Sequence, residues 1–142
     1  MRLLAAPAPA SNTPSITSGR NTFDAIGCTV CHTPSLATGQ SDLPGLSHKS
    51  ANLFSDLLVH DMGTGLADRV QQGNAGPSEF RTAPLWGLGQ RIFFLHDGRT
   101  QDLMIAIKEH GSPGSEANTV ISNFMQLPPR QQQDLLNFLR SL

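Results

Sequence analysis

Cys28-Thr29-Val30-Cys31-His32 contains both cysteines of the chain, with a histidine directly behind the second. Two thiols flanking two residues and followed at once by an imidazole form the Cys-x-x-Cys-His pattern that signals covalent attachment of a c-type haem. Each thiol is able to form a thioether with a porphyrin vinyl group, and the histidine is placed to bind the iron from the proximal side. Three other readings compete. A thioredoxin-like redox pair needs a strand feeding a helix, and the neighbourhood lacks the β-branched runs of such a unit. A structural zinc site needs four ligands, and there is no second cysteine pair. A disulfide between Cys28 and Cys31 would close a very short loop and constrain the unfolded chain little. The residues favour haem: one covalent haem c, with Cys28 and Cys31 as its attachment points and His32 as an iron ligand.

Composition agrees with a small domain wrapped around a large prosthetic group. The chain has 142 residues, of which 38% are hydrophobic and 15% charged, with 13 glycines and 10 prolines. That length suits one domain, and the glycine and proline content predicts short helices joined by long ordered loops. A formal net charge of -1 provides no basic footprint for nucleic acid, so DNA and RNA are not expected as partners. Met1 to Ala10 imitates a signal peptide, but its apolar run is short and broken by Pro7 and Pro9. No export signal is thus read in the chain, although c-type haem is normally attached outside the cytoplasm. A periplasmic or extracellular location is therefore expected. No stretch approaches the apolar length of a membrane span.

Outward from the motif, residues 1–17 read as a linker-like segment and 18–142 as a cytochrome c-like haem domain. Ser18 to Ile26 predicts a short helix leading into the motif, with Phe23 and Ile26 as its apolar contacts. A loop from Thr33 to Ser50 follows, and a backbone carbonyl near Pro34 is expected to accept the His32 Nδ1 hydrogen. Thr64 is read as the N-cap of a helix through Gln72, and Phe80 to Gly89 as a loop with one helical turn. Thr100 caps a further helix that Gly111 ends. On it Leu103, Ala106, Ile107 and His110 fall at i, i+3, i+4 and i+7, a single face. His110 at the end of that stripe is either a buried core histidine or an axial ligand, and the iron's need for a sixth ligand favours the second. Two more helices are expected, from about Glu116 to Met125 and from Pro129 to the end, the last packing across the helix before the motif. The expected fold class is all-α.

The run Glu79-Phe80-Arg81-Thr82-Ala83-Pro84-Leu85-Trp86-Gly87-Leu88-Gly89, then Leu95-His96-Asp97-Gly98-Arg99, Ala106-Ile107, His110-Gly111 and Asn137-Phe138-Leu139-Arg140-Ser141-Leu142, resembles the di-haem oxidoreductases. That family is related to the bacterial di-haem cytochrome c peroxidases and to the di-haem enzymes that mature methylamine dehydrogenase. The resemblance spans about residues 18 to 142 and corresponds to the C-terminal haem domain, while Met1 to Pro7 resembles the stretch joining the two halves. A second Cys-x-x-Cys-His expected of the N-terminal half is absent, which leaves a fragment, a processed product or a stand-alone monohaem relative.

The resemblance implies that the sixth ligand lies at the end of the helix after the His-Asp-Gly turn, where the superfamily places a methionine or, in the maturation enzymes, a tyrosine. The matching spacing from His96 lands on His110, and the chain has no tyrosine. The expected iron ligands are therefore His32 and His110. His60 and Met62 are expected to line the pocket, His96 to brace a turn, and Met104 and Met125 to lie in the core. Arg81 and Arg99 are candidates to pair with the haem propionates through bidentate hydrogen bonds, and Trp86 to pack on the porphyrin.

Iron filled on both sides by histidine favours electron transfer over substrate chemistry. The first expectation is a c-type cytochrome domain exchanging single electrons with a redox partner protein or a second haem domain. The alternatives are the electron-relay half of a di-haem peroxidase acting on hydrogen peroxide, and a docking module in a multi-haem assembly.

Overall fold

The computed structural model describes residues 8–142; the readings of Met1 to Pro7 lie outside these. Helix α1 (Pro14–Ala25) starts four residues before the expected Ser18, because Thr13 caps it. The Thr13 hydroxyl accepts the Ile16 N–H at 3.2 Å, and Pro14 occupies the first turn, where its missing N–H is harmless. The helix stops at Gly27, whose φ of +99° turns the chain into a 3₁₀ turn at Cys28–Val30.

The closing helix α5 (Pro129–Ser141) begins at the proline where the sequence placed it and lies across α1. The approach is close because Gly19 faces the Asp134 carbonyl and the Phe138 Cβ, leaving no room for a side chain. Ser15 and Asp134 hydrogen-bond across the seam at 2.5 Å. Beneath it Phe23, Phe54 and Phe138 meet edge to face, with centroids 5.4 to 6.4 Å apart, and Phe124 and Leu135 are almost fully buried.

The fold is not all-α. Among the described residues five α-helices are joined by two small antiparallel sheets. Strand β1 (Leu36–Ala37) pairs with β2 (Ser50–Ala51), and β3 (Val59–Asp61) with β4 (Glu79–Arg81) in the register His60 to Phe80. The long loops satisfy their backbone groups by pairing with one another, which a reading based on side-chain period does not detect in two- or three-residue strands.

Helix α2 (Gly63–Leu66) is only one turn long. It ends well before Gln72 because Ala67 is extended and Arg69 takes φ of +64°. Helix α3 (Leu103–Lys108) is capped by Asp102, not Thr100, with the Asp102 carboxylate accepting the Met104 N–H at 2.7 Å. Its buried face holds Leu103 and Ala106, and His110 sits just past its C-terminal end. Helix α4 (Asn118–Gln126) starts two residues after Glu116, which leaves the Glu116 side chain outside the helix. Met104 packs against the core as expected, but Met125 is 51% exposed and does not belong to it.

Candidate haem site

The 3₁₀ turn after Gly27 presents Cys28 and Cys31, both free thiols, and a hydrogen bond from His32 N–H to the Cys28 carbonyl at 2.9 Å closes it. Burial pushes the Cys28 thiol up to about 12. Cys31 is raised too, first by burial and then by the nearby Asp56 and Glu116 carboxylates. Both sulfurs are therefore held as thiols.

His32 is fixed by main chain. Its Nδ1 donates to the Phe54 carbonyl at 3.0 Å, and Phe54 adopts φ of +52° at this point. The expected acceptor near Pro34 is thus supplied from across the loop, while the Pro34 carbonyl accepts the Phe54 N–H at 3.3 Å. The same segment donates from Ser55 N–H to the Thr33 carbonyl at 2.8 Å and from Asp56 N–H to the Cys31 carbonyl at 2.9 Å. Three hydrogen bonds lay residues 54–56 antiparallel along 31–34. Ser55 anchors this strap from below, fully buried, its hydroxyl donating to the Thr82 carbonyl at 2.8 Å.

Burial outweighs the Phe54 hydrogen bond and lowers His32 to about 4, so the ring is neutral, with Nδ1 as the donor and a lone pair on Nε2. His110 has the same construction. Its Nδ1 donates to the Ala106 carbonyl one turn back in α3 at 2.7 Å, and burial lowers its pKa. A charge on His110 would further disfavour protonation of His32. Each histidine thus keeps Nε2 available as a metal donor, as in iron- and zinc-bound imidazoles whose other ring nitrogen donates to a carbonyl.

The loop after His110 docks on the chain around α2. The Ser115 hydroxyl donates to the His110 carbonyl at 2.6 Å, and the Ser112 hydroxyl donates to the Met62 carbonyl at 3.1 Å while accepting the Gly65 N–H at 3.0 Å. Thr64 N–H reaches the Pro113 carbonyl at 3.1 Å and Glu116 N–H the Asp61 carbonyl at 2.9 Å. Residues 54–66 consequently form one ribbon that supports His32 at its start and the His110 loop at its end.

In the middle of the ribbon stands His60, with Nε2 2.9 Å from Asp56 Oδ2, Nδ1 2.8 Å from Glu116 Oε2, and the Cys31 sulfur at 3.9 Å. The sequence placed His60 at the pocket but missed its two carboxylate partners. Thiol, carboxylate and imidazole of Cys31, Asp56 and His60 also lie within 4.8 Å of one another, a trio that loses its thiolate donor once Cys31 forms a thioether.

The other candidates make their contacts elsewhere than on the two histidine rings. His96, expected to hydrogen-bond within its turn, instead stacks on Phe80 with centroids 4.2 Å apart and approaches Asp68 at 3.8 Å. Arg99 donates to Asp97 at 2.7 Å and to the Gly65 carbonyl at 2.9 Å, and stands 3.6 Å from Glu109. Arg81 is exposed on β4, and Trp86 is 37% exposed beside the C-terminal turn. Among the described residues no hydrogen bond or ring contact joins Arg81, Trp86 or Arg99 to His32 or His110.

Two neighbouring thiols, a buried neutral histidine behind them and a second buried neutral histidine make a donor set whose chemistry fits a haem. The family model described as "Di-haem oxidoreductase, putative peroxidase" matches residues 1–142, and the chain belongs to that family. Its role is accordingly haem-related redox chemistry. Among solved structures the chain is similar to hydrazine synthase of Kuenenia stuttgartiensis, solved under 20 bar of xenon, with a TM-score of 0.62 and 20% identity. That likeness, which is one of fold, covers 99% of this chain and 52% of the other, so the chain spans about half the length of its structural relative. Comparison with curated proteins yields no match.

Proposed function

We propose that this domain binds one haem c through Cys28 and Cys31, holds its iron between His32 and His110, and passes single electrons to or from a redox partner protein or a second haem domain. The observation that carries this reading is the matched pair of imidazoles, both neutral and both tied through Nδ1 to a main-chain carbonyl. Tied in this way, each ring keeps its tautomer and orientation, so that electron exchange requires little rearrangement of the protein. When bound, the haem supplies one-electron oxidation and reduction. Held by both histidines, the haem would not take up peroxide, and histidine in place of methionine would lower its reduction potential. The setting that suits this chemistry is periplasmic or extracellular, and no helix among the described residues is long and apolar enough to cross a membrane.

A second reading draws support from the di-haem family and from the half-length match: the domain is the electron-relay half of a di-haem peroxidase, with hydrogen peroxide reduced at the other haem. Optical and electron paramagnetic resonance spectra of wild type and His110→Ala test the ligand assignment. A low-spin bis-histidine signal in wild type that becomes high-spin in the variant is the expected result. An unchanged variant spectrum, or methionine ligation in wild type, overturns it and makes Met62 the leading ligand. Peroxide turnover by wild type lacking any second haem would refute the pure carrier role.

A further inference from the structure

His60 is bonded on both sides by groups that can only accept. Asp56 Oδ2 lies 2.9 Å from its Nε2 and Glu116 Oε2 2.8 Å from its Nδ1, so both ring nitrogens donate and the ring is an imidazolium. The His60 and Asp56 side chains are only 16% and 12% exposed, so their attraction is less screened than at an open surface, while the Glu116 side chain is 55% exposed.

The two carboxylates come from opposite sides of the site. Asp56 sits in the strap, two residues past the carbonyl that holds His32, and its own N–H bonds Cys31. Glu116 ends the loop that starts at His110; its Oε1 accepts the Asp61 N–H at 3.1 Å, and the neighbouring Ser115 hydroxyl holds the His110 carbonyl. A single ring therefore spans from the proximal support to the distal one. Neither carboxylate is part of a regular helix, so the cation between them supplies rigidity that the secondary structure does not.

We infer that His60 is a positioning residue for the axial pair: as the shared cation between Asp56 and Glu116 it fixes the segment that holds His32 against the loop that holds His110. This role rests on the reading of those two histidines as ligands. Loss of the cation would free the loop that carries His110, and His110 would then hold the haem less firmly against outside ligands.

The test uses the haem-loaded protein at neutral pH and reads the resonance spectrum and the rate of cyanide capture. His60→Gln, which removes the cation, should show a high-spin fraction and capture cyanide about tenfold faster, following the larger open population. His60→Lys, which restores a cation between the carboxylates, should recover most of the wild-type rate. Thr13→Ala, which removes the N-cap hydroxyl at the start of α1, should lower the melting temperature without speeding capture, separating positioning from general loosening. If His60→Gln does not fold, Glu116→Gln decides: it removes one charge yet keeps an oxygen for the Asp61 N–H, and should also speed capture. Capture at the wild-type rate in the folded variants, or a lysine variant no slower than the glutamine one, overturns the role of His60 while wild type still shows bis-histidine ligation. A wild-type spectrum without that signature overturns the ligand reading, and the inference with it.

Discussion

Gly63 is the residue on which the distal loop closes. It takes φ of +71°, and a Cβ there would lie 2.5 Å from Ser112 Oγ, 2.6 Å from the Pro113 carbonyl and 2.7 Å from Ser115 N. Only glycine accommodates both the left-handed backbone and that approach. Gly63→Ala should cost about 2–3 kcal/mol in urea unfolding, the sum of a backbone penalty and overpacking against main chain; an unchanged midpoint would show that the loop does not press on the glycine. At this scale the sequence was informative where the signal is local. Cys28, Cys31 and His32 are adjacent, and His110 ends a stripe with helical period, so all four were legible as candidates. Asp56 and Glu116 were not. Glu116 meets His60 across 56 residues, and a lone acid in a loop looks the same in sequence whether it faces water or an imidazole.

At the scale of elements, the α1–α5 seam depends on the absence of a side chain at Gly19. Gly19→Ala would drive a methyl group into the Asp134 carbonyl, and should destabilise the protein by about 2–3 kcal/mol, because helix backbone must move to relieve the overlap. Thermal unfolding measures this, and a stability equal to wild type would mean the helices are not in such close contact. The packing of α5 across α1 was readable, since Leu135, Phe138 and Leu139 repeat at helical spacing and Pro129 marks the first turn. The sheets were not, and the expectation of an all-α fold failed on them. Residues 59–61 and 79–81 lie some eighteen residues apart, each strand is three residues long, and neither alternates clearly enough to announce a partner. Helix ends also moved where two capping residues competed: Asp102, not Thr100, caps α3.

Over the whole molecule the His60 cluster sets a pH window. His60 is raised above 6.5 chiefly by its hydrogen bond to Glu116, so the stability it contributes is complete below 6.5 and is lost as pH rises through its folded value. Glu116 is lowered from 4.5, first by the His60 hydrogen bond. Asp56 is lowered from 3.8 because hydrogen bonds from His60, Leu58 and Thr82 outweigh the burial that opposes them. Their contribution is complete above those values and is lost as pH falls. The cluster therefore stabilises most fully between about 4.5 and 6.5 and weakens on either side. Wild type should lose melting temperature between pH 6.5 and 9, and His60→Gln should lose less over the same range; parallel curves for the two proteins would show that His60 does not carry the alkaline limb.

The ribbon of residues 54–66 also acts as a ruler. One uninterrupted length of main chain reaches from the carbonyl under His32 to the turn under the His110 loop, and its ends are pinned by hydrogen bonds rather than by packing alone. The distance between the two supports is thereby written in a number of peptide units. An inserted residue in the exposed stretch 39–49 changes only a surface loop, whereas one inserted in this ribbon would displace both sides of the site at once.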